Sequence, residues 1–441
     1  MGRKRQQAMR VVHPNCAGID VGKSSHYVAV DEAAAERPIR TFGSFTEDLE
    51  EMAAWLLSCG VDIVALEATG VYWIPLFEVL DRAGLEVQLV DARATKQVSG
   101  RKSDVLDCQW IRELMSFGLL RGAFRPADRI CELRSYVRQR GRATRDRSRC
   151  VQHMQKALTE MNVQLDNVLS RIMGRTGQLI LRAIVAGERD GAVLARFRHR
   201  NVKADEATIA RSLQGTWRDE HLFALEQALE RYDLLTRQIE RVEARIDAVI
   251  ETISGGDGSE VALLAKPATK LAERRRQLAL RAMLGVDLTA IPTIGIETAL
   301  AIASEIGPDL SRFPNAAHFC SWLMLAPGTR ISGGKQIRSG PQQKRFNRAG
   351  QAFRMAAMTA RNSNSYIGAC HRARLRRLDP GRAVKATAHQ LARLVYAMLT
   401  RGEEYVAREM ADFEAERRDR QVRHLQRQAR RYNLELVEAA A

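Results

Sequence analysis

"CAGIDVGKSSHYVAVDEAAAERPIRTFGSF", residues 16–45, contains three runs rich in β-branched and aromatic residues, separated by gaps of hairpin length. Such runs are strand signals, and gaps this short let consecutive strands pair antiparallel. The spacing predicts strands at "CAGIDV", "SSHYVAVDEA" and "RPIRTFGSF". Next, "TEDLEEMAAWLLSCG" reads as a helix. Thr46 is its cap, Leu49, Met52, Ala53 and Leu56 recur on one face, and Gly60 ends it. "VDIVALE" is a buried strand, "VYWIPLFEVLDRAG" a helix, "EVQLVDA" another buried strand, and "SGRKSDVLDCQWIREL", residues 99–114, a closing helix.

Three hairpin-linked strands followed by α-β-α-β and a closing helix is the element order of the ribonuclease H-like fold. In that architecture Asp20 ends the first strand and Glu67 the fourth, and these two strands are neighbours. Asp104 and Asp107 open the last helix, about 60° apart on its surface, so both can face one point. Each acid has an ordinary reading alone: Asp20 as a turn acid, Glu67 as a helix-start acid, Asp104 and Asp107 as first-turn acids favoured by the macrodipole. The order D, E, D-x-x-D on these elements joins them. Four converging carboxylates repel unless cations hold them. Oxygen-only ligands suit Mg²⁺ or Mn²⁺, and paired ions stabilise both oxygens of a phosphoryl displacement. Asp31, Asp62 and Asp91 read as solvated or turn residues.

The chain has 441 residues, enough for two or three domains. Its 69 Lys and Arg against 52 Asp and Glu leave a formal +17, which calls for a polyanionic partner. No apolar run reaches membrane-spanning length. The basic start "MGRKRQQAMR" lacks a following apolar segment and does not read as a secretory signal. Seven scattered cysteines form no C-x-x-C pair, which points away from zinc modules and disulfides and towards a reducing cytoplasm.

From about residue 124 the pattern becomes long helix. One heptad seam runs through Val151, Met154, Leu158, Met161, Leu165, Val168 and Ile172, and a second from Leu225 to Val249. Packing within one chain and pairing between chains both fit. Upstream lies "RSYVRQRGRATRDRSR", residues 134–149, with seven arginines and one aspartate. Arg134, Arg138, Arg142, Arg145 and Arg149 are candidates for phosphate contact, or else form a solvated face. Charge does not choose between RNA and DNA.

"LTAIPTIGIETALAIASEIG", residues 288–307, has the form of a helix-hairpin-helix, whose hairpin amides meet a DNA phosphate. "SRFPNAAHFCSWLMLAPG" reads as an apolar helix, and "TRISGGKQIRSGPQQKRFNRAG" as a basic, glycine-rich loop before the helix "QAFRMAAMTARNS". Ser332 stands at the start of that loop among Arg330, Lys335, Arg338, Lys344 and Arg345, all candidates for nucleic-acid contact. Most S-G-G sequences are simple turns. The tail "ERRDRQVRHLQRQARRY" reads as a basic helix on nucleic acid or free in solvent.

Taken in order, "GIDVGK", "LEATGVYW", "KSDVLDCQWI", "IPTIG", "RFPNAAHF…LAPG" and "RISGG…RFNRAG" resemble the blocks of the DEDD insertion-sequence transposases of family 110, related to site-specific DNA invertases. The resemblance covers roughly residues 15–125 and 285–400. It implies a RuvC-like DEDD catalytic domain over residues 1–124, using Asp20, Glu67, Asp104 and Asp107 with Mg²⁺. A helical, coiled-coil region for nucleic-acid binding and oligomerisation follows over 125–285. A transposase domain over 286–402 carries a serine, matching Ser332, that becomes covalently attached to DNA, and a basic helical tail spans 403–441. The fold expected is therefore α/β plus all-α. The resemblance also implies a structured guide RNA pairing with donor and target DNA, and dimers joining into a tetramer. This chain departs from the family pattern in its middle stretch, about 185–285, and in its tail. The alternative is a RuvC-type structure-selective nuclease needing the acids alone; a nucleic-acid-binding scaffold without chemistry is the third reading.

Overall fold

The computed structural model describes residues 10–68, 70–90, 104–120, 122–255, 270–327, 330–332, 335–337 and 347–435, with the backbone alone at 104, 105, 270, 330–332, 335–337, 409, 413, 414 and 417. The chain divides into two compact units, Met1–Arg125 and Pro126–Ala441.

In the first unit β1 (Cys16–Val21), β2 (Ser25–Ala29), β3 (Ile39–Gly43), β4 (Ile63–Glu67) and β5 (Glu86–Val90) form one sheet in the order β3-β2-β1-β4-β5. The three hairpin-linked strands pair antiparallel, and β1–β4 and β4–β5 pair parallel. Period-two alternation sorts the two faces. Ala17, Ile19 and Val21 of β1, with Val64 and Leu66 of β4, pack under α1 (Thr46–Ser58) and α2 (Trp73–Arg82) through Leu49, Leu56, Leu76 and Leu80. Cys16, Ile63, Ala65 and Val90 face the other way, against Ile111 and Met115 of α3 (Asp104–Ser116).

Gly18 fixes how α3 lies. A Cβ there would run into the backbone of Arg112 and Cys108, so only glycine lets helix and strand approach this closely. Cys16 Sγ donates to Arg112 O at 3.5 Å. Stepping back from Gly18 to Cys16 thus steps forward along α3, and the helix runs antiparallel to β1. Its N-terminus points to the C-terminal end of the strand. This mixed α/β unit is compatible with a RuvC-like or ribonuclease H-like fold.

The second unit is helical. α4 (Asp128–Glu160) is followed by four short helices: α5 (Leu165–Val168), α6 (Arg175–Val185), α7 (Gly191–Ala195) and α8 (Glu206–Ser212). α9 (Asp219–Ile253) then returns along α4. Ion pairs and ring contacts register the two long helices antiparallel, from His221–Glu160 at 3.3 Å through Arg147 over Tyr232 to Arg140–Glu243 at 2.9 Å. The first seam does not continue as one helix. α4 stops at Glu160, Asn162 takes a positive φ of 60°, and Met161, Leu165 and Ile172 instead join the core that α5–α8 build over the end of the pair.

After α10 (Lys270–Leu284), the expected short helix of the helix-hairpin-helix form is a three-residue 3-10 turn at Leu288–Ala290, preceding α11 (Ile296–Ile306). α12 (Ala316–Trp322) is capped by Asn315, whose side chain accepts from Ala317 N and His318 N. The segment read as a polar loop contains a hairpin, β6 (Arg330–Ser332) with β7 (Lys335–Ile337). α13 (Arg348–Thr359), α14 (Tyr366–Leu375) and α15 (Pro380–Arg401) close around an aromatic cluster of Phe313, Phe319, Trp322, Phe353 and Tyr396. α16 (Glu403–Arg431) is largely exposed. Among the described residues no helix is long and apolar enough to cross a membrane.

Candidate functional site

The register that pairs Ile19 with Leu66 sets Asp20 beside Glu67 at the C-terminal ends of β1 and β4. Both sit two positions beyond residues facing α3, so both belong to the face that helix covers. Asp20 is half-buried and Glu67 is 6% exposed. Because α3 runs antiparallel to β1, its opening turn, with Asp104 as first residue and Asp107 in the same turn, arrives at this end of the sheet.

Cys108 reports on the same place. Burial pushes its thiol up to about 12, and the negative charges of Asp20 and Asp107 push the same way. A strand-end acid and a helix acid therefore both act on one buried thiol. The side chain of Asp104 lies outside the described residues, and so does Asp91 entirely. Among the described residues no three His, Cys, Asp or Glu side chains form a group able to hold a metal ion. The donor chemistry nevertheless fits a hard divalent cation. Adjacent strands lie about 5 Å apart; carboxylates at that spacing would repel by on the order of 3 kcal/mol at an effective dielectric near 20, and oxygen donors of this kind are what Mg²⁺ and Mn²⁺ take.

The other nearby acids are occupied elsewhere. Asp31 accepts from Arg112 Nη1 at 2.7 Å, and Asp62 from Asn15 Nδ2 at 2.9 Å. Tyr27 was not singled out from sequence, yet it is the register partner of Asp20 across β1 and β2, and such partners share a face. The alternation beginning at Ser25 was the available signal.

In the second unit the arginine run divides. Arg138 donates twice to Glu305, at 2.8 and 2.7 Å, and Arg134 donates to the carbonyl oxygens of Ser304 and Glu305. Arg140 pairs with Glu243 and Glu297. The run that looked unbalanced in sequence is thus partly neutralised by acids more than a hundred positions away. Arg142, Arg145 and Arg149 are exposed, with Arg149 paired to Asp146 in its own helix. Ser332 ends β6 opposite Lys335 in the hairpin register. The side chains of Arg330, Ser332 and Lys335, and the whole of Arg338, Lys344 and Arg345, lie outside the described residues.

A mixed sheet with paired strand-end carboxylates, followed by a helical unit, defines the general class. Residues 17–163 match the family model for a DEDD transposase of the IS110 type, and residues 285–372 match the model described as Transposase IS116/IS110/IS902 family. The chain belongs to the IS110 family of DEDD transposases. No curated protein matches it. Membership makes it a DNA-processing enzyme of the transposase and recombinase class, and the DEDD signature carries with it the use of a divalent metal. Residues 164–284 lie outside both matches.

Proposed function

We propose that the chain cuts and rejoins DNA, with Asp20, Glu67, Asp104 and Asp107 as one metal-binding set and Ser332 as the nucleophile. The observation that carries this reading is the placement of Asp20 beside Glu67 on the face and at the end of the sheet where α3 opens. Mg²⁺ or Mn²⁺ held there supplies positive charge to phosphate oxygens. The Ser332 hydroxyl gives up its proton and attacks phosphorus, the Oγ–P bond forms as the strand's P–O bond breaks, and the leaving oxygen takes up a proton in exchange. Arg330, Lys335, Arg338, Lys344 and Arg345 offset charge on the phosphate. The covalent link keeps the bond energy, so rejoining needs no external cofactor. Residues 1–124 form the catalytic domain, 125–285 a helical region for nucleic acid and oligomerisation, 286–402 the serine-bearing domain and 403–441 a basic tail. Exposed Arg142, Arg145 and Arg149 suit a structured guide RNA that pairs with donor and target DNA, and the assembly is a dimer or tetramer.

The test is cleavage of the element's own junction DNA by Glu67→Gln and Asp107→Asn chains. Both should lose at least about a hundredfold in rate while nucleic-acid affinity and melting temperature stay close to those of the parent, and EDTA should reproduce the loss. Full cleavage by both variants contradicts a shared acid site.

A further inference from the structure

Between Asp309 and Glu403 the chain carries seventeen Lys and Arg and a single acid, Asp379. That acid is committed. It caps α15, accepting from Arg382 N at 3.0 Å, and pairs with the Arg382 guanidinium at 3.1 Å. Among the described residues, Arg354 of α13 and Arg374 of α14 meet neutral acceptors. Arg354 donates to Met324 O at 3.3 Å. Arg374 spreads its fork over Thr387 Oγ1 at 2.9 Å and Gln390 Oε1 at 2.7 Å. Lys385, His389 and Arg393 follow one another at four-residue steps along α15, about 6 Å apart per step, and so share one side of the helix.

These groups feel one another. Burial and then the neighbouring Arg354 hold the Lys385 amine below its usual value. Burial, followed by Arg393, Arg374 and Lys385, does the same to the His389 imidazole. Among the described residues none of Arg354, Arg374, Lys385, His389 and Arg393 has a carboxylate partner. Like charges gathered without counter-charge raise the energy of the folded chain, and a polyanion laid along them relieves it. Arginine forks already fixed by neutral acceptors lose less freedom when they meet a phosphate.

We propose that Arg354, Arg374, Lys385, His389 and Arg393 form a track for the phosphodiester backbone of a nucleic-acid strand, separate from the Ser332 hairpin. It rests on reading the chain as one that handles nucleic acid, and it needs neither cleavage nor strand transfer. The track reads backbone rather than bases.

The test uses the full chain with Ser332→Ala as background, so that a failed recombinase reading leaves the outcome interpretable. Binding of a duplex DNA oligonucleotide and of a stem-loop RNA is measured by fluorescence anisotropy across a salt series. Lys385→Gln with Arg393→Gln should weaken binding about tenfold at fixed salt and flatten the log–log salt slope by about 2 on duplex, since each phosphate contact contributes about 0.9. The charge-keeping pair Lys385→Arg with Arg393→Lys should retain affinity and slope, which separates lost contacts from a damaged fold. Arg196→Gln with Arg200→Gln removes the same charge from exposed sites elsewhere and should leave the slope near the parent value. Loss in the duplex arm assigns the track to DNA, and loss in the RNA arm alone assigns it to RNA. Slopes unchanged in both arms, or equally changed in the Arg196 and Arg200 control, overturn it.

Discussion

His371 is 2% exposed, with Nδ1 at 2.9 Å from Thr387 Oγ1. Burial first, then Arg374, Arg361 and Arg372, lowers its pKa from 6.5, and burial lowers that of His26 as well. A depressed histidine pKa means that below about pH 6.5 the unfolded chain takes up a proton that the folded chain refuses, so stability falls as pH falls. Denaturant unfolding should therefore show stability dropping between pH 6.5 and 5, by up to about 1.4 kcal/mol per histidine per pH unit. The His371→Gln chain should lose less over the same range, and identical pH dependence would assign the acid sensitivity to other groups. Single residues were the hardest part to read in advance. Asp20 and Glu67 stood out because strand ends are marked by composition, whereas the partners of Arg134 and Arg138 were invisible. Their acid, Glu305, lies far along the chain, and a local charge count has no access to it.

Glu305 ties α11 to α4. Its side chain is 11% exposed, against 18% for Arg134 and 38% for Arg138. Removing the carboxylate leaves two guanidinium groups without their anion at a partly dry contact, while the exposure of Arg138 moderates the effect. Glu305→Gln should cost about 2 kcal/mol of stability in the second unit, read by denaturant unfolding; a change below about 0.5 kcal/mol would mean that water replaces the pair without penalty. Elements with strong periodicity were well marked in sequence. The pairing of β1–β3 followed from gap length, β4 and β5 from their buried apolar runs, the place of β4 beside β1 from the ribonuclease H-like element order, and the two long helices from their apolar spacing. The first seam misled because apolar residues at three and four residue steps also line a compact core: the pattern persisted through Ile172 while the helix ended at Glu160. The short hairpin β6–β7 was missed because glycine and polar residues signal a loop whether or not its flanks pair.

At the scale of the whole molecule, the proposed chemistry draws on both units: the four acids belong to Met1–Arg125, and Ser332 and the dense cations to Pro126–Ala441. The order D, E, D-x-x-D and the first sheet were readable because a strand end and a helix start are local events. The cation track was not, since it arises from three helices that sequence distance separates and from the absence of acids rather than the presence of a motif. What distinguishes a recombinase from a nuclease here is whether the phosphate passes through the protein. The direct measurement is trapping on a nicked suicide substrate, with Mg²⁺, the co-expressed RNA and both DNA partners present, followed by denaturing electrophoresis and peptide mapping. The account predicts a protein–DNA adduct that survives denaturation, maps to the peptide carrying Ser332 and is lost in Ser332→Ala. Free DNA ends without an adduct, an adduct on a peptide that lacks Ser332, or recombination by the Ser332→Ala chain would contradict it.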